Sequence, residues 1–303
     1  MIIVLGGSGY IGTAFRRHLE SAGLEYASVS RQRCNYYDPA ALDDLLCQTH
    51  PRFLINAAGF TGRPNVDACE LAKTECLLAN AVLPGIIRAA CERRGVPWGH
   101  ISSGCIYSGT RPDGGGFHES DPPNFCFRMN QRVGLADSAH PTGCSFYSGS
   151  KALGEELLVA AERCYIWRMR MPSNHQDGER NYLSKLMRYD RLLDTRNSLS
   201  HLDECVAACL QSFTDGVPFG TYHVVNSGTL TTRETVDMIR NSGVCTKEFH
   251  FFDTETDFLH QAVKTPRSHC ILDNAKALAA GLNLSNVADA MEKSLRDWRS
   301  AAS

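Results

Sequence analysis

The sequence predicts an α/β protein, a doubly wound parallel sheet followed by a smaller C-terminal lobe. Short apolar runs alternate with amphipathic stretches of helical spacing through the first 171 residues. This is the pattern of parallel strands joined by crossover helices. Beyond residue 172 the alternation becomes irregular. We therefore predict a main domain at 1–171 and a covering lobe at 172–303, from which some segments return to the main sheet.

Composition restricts the class of protein. The 303 residues carry a net charge of -2, which gives no general attraction to nucleic acid or to an anionic membrane. We expect no membrane span and no signal peptide, because no apolar run approaches about 20 residues and the start lacks a basic leader. The 13 cysteines include no C-x-x-C pair and the 11 histidines form no ligand pattern, which favours a cytoplasmic protein without a metal. Cys205 and Cys209 are expected to be buried thiols.

The first strand, residues 2–5, runs directly into a glycine-rich turn, and residues 13–22 follow with helical spacing. This order is typical of dinucleotide binding, because glycine lets the backbone approach a pyrophosphate and the helix N-terminus offers free N–H groups. A tight structural turn is the alternative. The cofactor contacts predicted here are Gly6, Gly9, Tyr10, Ile11 and Gly12.

The second strand, residues 26–30, ends without the acidic residue that holds the ribose 2′-hydroxyl of NAD. Arg31 and Arg33 follow instead. A guanidinium can bind a 2′-phosphate through two hydrogen bonds, so we predict that NADP(H) is preferred over NAD(H), with Arg31 at the phosphate. In the alternative interpretation, both arginines cover a solvated turn.

The next segments continue the alternation. We predict a helix at 38–49, a strand at 53–56, a long helix at 71–94 and a strand at 98–102. Pro84 lies inside the long helix and predicts a kink or a break there. Small residues after the third strand again allow close approach by a cofactor. The contacts predicted in these segments are Asn56, Ala57, Ala58, Gly59 and Asn80.

A long loop, residues 113–145, precedes a helix near Tyr147 and is rich enough in Gly, Pro and Asn to predict a lid or binding loop. Tyr147 and Lys151 are four residues apart and share one helix face. An ammonium beside a phenol favours the phenolate, so we predict that Lys151 lowers the pKa of Tyr147 and makes it an acid/base for an alcohol or ketone. Ser103, at an earlier strand end, should join them, because parallel sheets place ligands beyond the carboxyl ends of strands.

The remaining segments are less regular. They are predicted to form a strand at 165–169, helices at 181–190 and 202–213, a strand at 221–225, and helices at 233–242 and 287–298. The tail, from about residue 245, is expected to alternate loops and short elements before the last of these helices.

The glycine turn, the strand-end serine and the Tyr/Lys pair together resemble the extended short-chain dehydrogenase/reductase superfamily, which implies a Rossmann-like fold with a substrate-binding C-terminal lobe. Residues 56–70, Asn-Ala-Ala-Gly-Phe-Thr-Gly-Arg-Pro-Asn-Val-Asp-Ala-Cys-Glu, resemble the signature of plant-type nucleotide-sugar epimerase/reductases. Those enzymes make UDP-L-rhamnose from UDP-4-keto-6-deoxyglucose. Similarity to dTDP-4-dehydrorhamnose reductases is more distant. Further stretches that fit the plant-type family are 104–107, 146–151, 155–157, 168–172 and 180–185.

The resemblance implies two reactions in one pocket. For reduction of the C4 ketone, Tyr147 gives the proton, Ser103 donates a hydrogen bond to the carbonyl, and Lys151 binds the nicotinamide ribose, so Tyr147 and Lys151 also contact the cofactor. For inversion of C3 and C5, Cys105 and Lys185 match the family's acid/base pair. The alternatives are a buried apolar residue for Cys105 and a solvated helix face for Lys185.

The implied partner is a nucleotide-diphosphate sugar, and a homodimer is an open alternative to a monomer. The predicted substrate contacts are Thr61, Arg63, Cys105, Asn174, Asn181, Lys185 and Arg267, with Arg188 as a further candidate cation for the diphosphate. One stretch departs from the family: residues 128–144 look like an insertion ahead of the catalytic helix. The nucleotide and the sugar are therefore left open among UDP, dTDP and GDP derivatives.

Three functions compete. The leading hypothesis is a bifunctional 3,5-epimerase/4-reductase, and the second is a 4-keto-sugar reductase alone. The third is a non-catalytic NADP-binding regulatory subunit, which would not require all five catalytic candidates to be intact. A sugar 4,6-dehydratase is disfavoured because Gly104 and Cys105 occupy the places of the Asp-Glu pair that such enzymes carry.

Overall fold

A computed structural model describes residues 1–127 and 143–300, and its centre is a six-stranded parallel sheet in the order β2-β1-β3-β4-β5-β8. The order changes direction between β1 and β3, so the crevice expected to hold a ligand opens at their carboxyl ends. This confirms the predicted doubly wound fold. The six strands are β1 Ile2–Leu5, β2 Tyr26–Val29, β3 Phe53–Asn56, β4 Trp98–Ser103, β5 Cys164–Met169 and β8 Gly220–His223.

Helices cover both faces of the sheet, because alternate residues of each strand point to opposite sides. Ile2 and Val4 pack against α1 and α7, whereas Ile3 and Leu5 pack in a second core with α2 and α4. Cys205 and Cys209 are buried in the first of these cores, as predicted. The helices are α1 Tyr10–Ser21, α2 Pro39–Thr49, α4 Leu83–Arg94, α5 Phe146–Glu156 and α7 Leu202–Thr214.

The predicted long helix begins at Lys73, after a 3-10 turn at Val66–Glu70, and continues to Arg94 without a break. It consists of α3 Lys73–Leu77, a π-helical turn at Leu78–Val82, and α4. The π-turn accommodates Pro84 at the start of α4, so the helix is not broken there. The Leu83 N–H bonds the Leu78 carbonyl five residues back, and the Asn80 carbonyl, which Pro84 cannot serve, lies against Gly154 of α5.

By length and composition this run, Lys73–Arg94, could cross a membrane, a property that the sequence patterns did not predict. Half of its most apolar window is buried inside the fold, which is typical of a core helix. In the described part of the chain, no other helix meets the same criterion.

The C-terminal lobe has its own core, in which Leu183, Leu186, Ile239 and Met291 are buried. Two small sheets form in the lobe, one from β6 and β10 and one from β7 and β9. Most of its strands are two residues long, too short to show a sequence period, and they were not predicted. The elements of the lobe are α6 Tyr182–Arg188, β6 Arg191–Leu192, β7 Arg196–Asn197, β9 Leu230–Thr231, α8 Thr232–Asn241, β10 His250–Phe251, α9 Glu255–Gln261, α10 Ala275–Ala279 and α11 Val287–Arg296.

The predicted loop is described up to residue 127 and from residue 143. An isolated β-bridge between Phe117 and Leu272 joins the first part of this loop to the lobe. A second β-bridge, between Gly109 and Cys270, lies just before the loop begins. The predicted insertion, residues 128–144, lies almost wholly outside the described residues, so its effect on specificity stays a prediction.

Candidate active site

The glycine turn between β1 and α1 leaves no room for side chains. Gly6 adopts φ +73°, and a Cβ on it would lie 2.4 Å from the Ala58 nitrogen. A Cβ on Gly12 would lie 2.1 Å from the Gly6 carbonyl oxygen. Helix α1 starts after Gly9 with no side-chain cap and no acidic residue in its first turn. The turn therefore has the backbone shape and the free N–H groups that suit a pyrophosphate.

Two predicted cofactor contacts in this turn have side chains that serve the core. Tyr10 and Ile11 both pack against the cluster between the sheet and α1. The Tyr10 hydroxyl is buried without a hydrogen-bond partner among the described residues. Burial, followed by the nearby Asp203 carboxylate, raises the pKa of Tyr10. These residues can therefore offer a cofactor their backbone N–H groups, but not their side chains.

Two buried asparagines shape the cofactor crevice from within. Asn56 accepts a hydrogen bond from the Ala58 N–H at 3.1 Å, and its amide nitrogen lies 3.0 Å from His100 Nδ1. Asn80, on the π-turn, accepts from the Phe60 N–H at 2.9 Å and donates to the Phe60 carbonyl at 2.8 Å. Both amides hold the loop after β3, and the cofactor contacts predicted for Asn56 and Asn80 stay a prediction.

The remaining predicted cofactor residues are open to a ligand. Arg31 is exposed beyond β2, and its guanidinium carbon lies 6.0 Å from the centre of the Tyr37 ring. Gly59 is exposed beside α5, where a Cβ would lie 3.5 Å from Lys151 Nζ. The backbone at Ala57 and Ala58 borders the glycine turn closely. These positions fit a cofactor that runs from β2 to α5 along the carboxyl edge of the sheet.

The structure brings the three predicted reductase residues into one buried pocket. Ser103 ends β4, and Tyr147 and Lys151 lie on α5, which starts at the N-cap Ser145. The Ser103 side chain hydrogen-bonds the Tyr147 phenol. Lys151 Nζ donates to the Ile101 carbonyl at 3.1 Å. A strand end and a helix start thus place a hydroxyl, a phenol and an ammonium together.

The predicted direction of the Tyr147 pKa shift is wrong. Burial raises the pKa of Tyr147, the neighbouring Cys105 thiol raises it further, and the hydrogen bond from Ser103 lowers it. Lys151 is desolvated in the same pocket, and burial lowers its pKa to about 8 against an opposing effect of Glu155. Helical spacing indicated the proximity of the two groups but not their desolvation. Tyr147 is therefore a protonated phenol at neutral pH, ready to donate.

Cys105 follows Ser103 by two residues on a 3-10 turn, Gly104–Ile106, and its N–H donates to Ser103 Oγ at 3.1 Å. Its sulfur accepts a hydrogen bond from Arg170 Nη1 at 2.9 Å. Arg170, directly after β5, was not among the predicted site residues. A signal was present, because Arg170 directly follows the predicted strand at 165–169, at the carboxyl edge where parallel sheets place their ligands.

Lys185, on α6, lies in the same space as Cys105. Burial lowers the pKa of Lys185, with further lowering by Arg180 and Arg267, while Cys105 acts in the opposite direction. His269 belongs to this cluster, because burial, Arg170 and Arg267 lower its pKa to about 4. Several basic side chains thus lie close together beside one thiol.

The described residues neutralise this basic cluster only in part. Arg267 pairs with Asp67 at 2.8 Å. Arg180 donates instead to neutral oxygens, Thr61 Oγ1 at 2.8 Å and the Gly62 carbonyl at 2.6 Å. Arg180 is a cation that the sequence did not single out, and a substrate contact of Thr61 or Arg267 stays a prediction.

Four other predicted substrate residues are placed differently. Asn181 caps α6 by accepting the Leu183 N–H at 3.0 Å and donates to the Asn174 carbonyl at 2.7 Å, while the Asn174 amide donates to Asp203. Both are buried, so neither amide is free for a sugar. Arg188 pairs with Asp177 at 2.6 Å, and Arg63 is exposed beside Pro64.

A family model described as RmlD substrate binding domain matches residues 1–303. The chain belongs to this family. In Arabidopsis thaliana, a bifunctional dTDP-4-dehydrorhamnose 3,5-epimerase/dTDP-4-dehydrorhamnose reductase is 30% identical over 279 residues, which cover 90% of this chain and 85% of that protein.

Two more relatives of this RmlD-family chain bear on its fold and length. A trifunctional UDP-glucose 4,6-dehydratase/UDP-4-keto-6-deoxy-D-glucose 3,5-epimerase/UDP-4-keto-L-rhamnose-reductase of Arabidopsis thaliana is 29% identical over 90% of this chain, which spans 38% of that protein. The crystal structure of the L780 UDP-rhamnose synthase of Acanthamoeba polyphaga mimivirus superposes with a TM-score of 0.85 at 20% identity, covering 98% of both chains. The shared fold therefore extends over the whole main sheet and lobe.

Proposed function

We propose that this protein is a bifunctional, NADP(H)-dependent 3,5-epimerase/4-reductase of a nucleotide-linked 4-keto-6-deoxy sugar. One observation carries the proposal: two sets of proton-carrying groups lie close together in the fold. Ser103, Tyr147 and Lys151 form the first set, and Cys105 and Lys185 form the second. A reductase needs the first set, whereas inversion of carbon centres beside a ketone needs the second as well.

The cofactor assignment rests on the shape and charge of the crevice. The glycine turn admits a pyrophosphate, and Arg31 provides a cation where an NAD-selective site carries an acid. Bound NADPH would supply the hydride for C4. Lys151 would hold the nicotinamide ribose next to Gly59.

Reduction at C4 uses the first set of groups. The protonated Tyr147 phenol gives its proton to the carbonyl oxygen as negative charge develops there. The Ser103 hydroxyl, which lies within hydrogen-bond reach of that phenol, turns its one proton to the same carbonyl oxygen when the ketone is bound. Burial excludes water and strengthens both interactions.

Epimerisation uses the second set. The C4 ketone acidifies the protons on C3 and C5. The Cys105 thiolate takes one of these protons and becomes a thiol, while the electrons of the broken C–H bond form an enolate held by Ser103 and Tyr147. The Lys185 ammonium then protonates the opposite face. Its lowered pKa favours this donation.

The cation cluster supports an anionic substrate. Arg180 and Lys185 have no carboxylate partner among residues 1–127 and 143–300, and Arg180 and Arg267 both lie near Lys185. A diphosphate brings the negative charge that this cavity lacks. This supports a nucleotide-diphosphate sugar, with UDP and dTDP as the first candidates.

Product analysis by NMR tests the function. The protein is incubated in D₂O with NADPH and either UDP- or dTDP-4-keto-6-deoxyglucose. We expect a 6-deoxy-L-sugar that carries deuterium at C3 and C5. Reduction without deuterium would leave a 4-reductase only. A protein that binds NADPH but oxidises none across a panel of 4-keto sugars would be a regulatory subunit.

Cys105→Ala separates the two activities. We expect this variant to lose deuterium incorporation at C3 and C5 by ~10²-fold or more, because it removes an acid/base group. Reduction of a sugar that is already epimerised should persist. Unchanged deuterium incorporation would exclude Cys105 as the base.

A further inference from the structure

A buried guanidinium fixes the sulfur of Cys105. Arg170 is 4% exposed, and its Nη1 donates to Cys105 Sγ at 2.9 Å. Its Nη2 donates to Asn197 Oδ1 at 2.7 Å and to the Ser268 carbonyl at 2.5 Å. The guanidinium is therefore held from the lobe on one side and meets the thiol on the other. Turning the guanidinium away from the sulfur would break its hydrogen bonds to Asn197 and Ser268 as well as the one to Cys105.

The chemistry of this contact has a direction. A guanidinium carries donors only, so the sulfur must accept. A thiolate accepts a charge-assisted hydrogen bond more strongly than a thiol does. In the described part of the chain, Arg170 forms no ion pair with a carboxylate, and its nearest candidate for negative charge is Cys105. Cys105 also raises the pKa of Arg170, against burial, which lowers it.

We propose that Arg170 is a positioning residue that aims the Cys105 sulfur at the substrate and stabilises its thiolate. Proton abstraction beside the ketone then depends on Arg170, whereas the proton transfer from Tyr147 that accompanies hydride addition does not. This inference rests on the proposed function, because it takes Cys105 as the base. The sulfur accepts the C–H proton in the step, so Arg170 itself gains and loses none.

Other ionisable groups also face Cys105 and set the background for its pH dependence. Tyr147 and Lys151 approach from α5, and Lys185 approaches from α6. Cys270 lies near both Cys105 and Arg170. Among the described residues, only Arg170 has a hydrogen bond to the sulfur. Its removal should therefore change the behaviour of the thiol while the other groups stay in place.

The first test reads the thiol directly and needs no substrate. Alkylation of Cys105 by iodoacetamide is followed against pH by peptide mass spectrometry in the unmodified protein, Arg170→Met and Arg170→Lys. Cys245, a half-buried thiol in the lobe, is the internal reference. We expect the midpoint of Cys105 alkylation to move to higher pH in Arg170→Met, with Cys245 unchanged. Arg170→Lys, which keeps the charge, should fall between. Identical Cys105 profiles in all three proteins would overturn the proposal.

The second test separates the two reactions. In Arg170→Met we expect deuterium incorporation at C3 and C5 to fall by ~10²-fold or more, because an acid/base step loses its organised base. Reduction of a pre-epimerised sugar should stay within about threefold, since that step uses Tyr147 and Ser103. Equal loss of both activities, in a variant that still binds NADPH, would mean a structural role only. If the unmodified protein exchanges no deuterium, the epimerase function fails, but the alkylation profiles still decide whether Arg170 controls the thiol.

Discussion

Arg168 and Arg170 lie two residues apart yet have opposite surroundings. Arg168 is enclosed by acceptors: Nη2 bonds the Glu155 carboxylate at 2.6 Å, and Nη1 bonds the Tyr107 hydroxyl at 2.9 Å. The Ser102 hydroxyl also donates to Glu155. Arg170 meets a thiol and neutral oxygens. The first arginine completes a closed ion pair, whereas the second holds a thiol and has no carboxylate partner among the described residues.

The comparison separates two uses of buried charge. A neutralised pair holds elements together and leaves nothing for a ligand to satisfy. A cluster of buried cations without negative charge destabilises the folded protein, and binding of an anion offsets that destabilisation. Substitutions in the two clusters should therefore affect different measurements.

Glu155→Gln should cause the largest change. It leaves the Arg168 guanidinium buried without its carboxylate, which destabilises proteins by ~3–5 kcal/mol. The free energy of unfolding from urea denaturation measures this loss. The double variant Glu155→Met/Arg168→Met removes both charges and should cost less. If Glu155→Gln unfolds at the same urea concentration as the unmodified protein, the pair is not structural.

Lys151→Met should stabilise the protein while abolishing reduction. Burial lowers the Lys151 pKa from 10.5 to about 8, so at pH 7 the folded state holds an ammonium at a cost. Between pH 8 and 10.5 the folded protein releases this proton before the unfolded chain does, so the cost fades as the pH rises. We expect a gain of about 1–2 kcal/mol at pH 7 that shrinks toward pH 10, measured by urea denaturation. A variant less stable at pH 7 would contradict this account.

Arg180→Met should weaken substrate binding with little effect on stability. Arg180 faces the cation cluster without a carboxylate partner among the described residues. Loss of one charge-assisted contact to a diphosphate should raise Kd by about tenfold, measured by titration calorimetry with UDP and with dTDP. Arg188→Met is the matched control, since Arg188 is already paired with Asp177. Equal effects of the two variants would refute the cluster as the diphosphate site.

Arg31→Ala should give the smallest effect. Arg31 is exposed, so its contact with a 2′-phosphate is partly screened by solvent. The ratio of kcat/KM for NADPH over NADH should fall by about tenfold or less. Arg33→Ala provides the control for general loss of positive charge beyond β2. An unchanged ratio in Arg31→Ala would move the phosphate contact elsewhere.

The sequence predicted the sheet and the reductase centre because both depend on local patterns. The glycine turn, the strand-end Ser103 and the helix face of Tyr147 and Lys151 each follow from a few neighbouring residues. Cys105 and Lys185 required the family resemblance, since they come from distant elements that meet only in the fold.

Other properties of the site could not be predicted from local patterns. The Tyr147 pKa depends on burial by segments far along the chain. The Asn181 amide donates to the carbonyls of Asn174 and Gln176, and the Asn174 amide donates to Asp203 of α7. These partners are brought together only by the fold. Nothing in the local sequence distinguishes Arg180 from Arg188. In the fold, Arg180 donates to the neutral Thr61 hydroxyl, whereas Arg188 forms an ion pair with Asp177.

The π-turn at Leu78–Val82 sets the register between two halves of one helix. One residue changes the angular position around a helix by about 100°. Winding the same residues as an ordinary α-helix, without the wider turn, would rotate Lys73–Leu77 relative to α4 by roughly that angle. Cys76, which packs against Tyr147, would then turn out of the pocket. The π-turn therefore sets which face of Lys73–Leu77 points at α5. The packing of Cys76 against Tyr147 depends on the one extra residue that this turn accommodates.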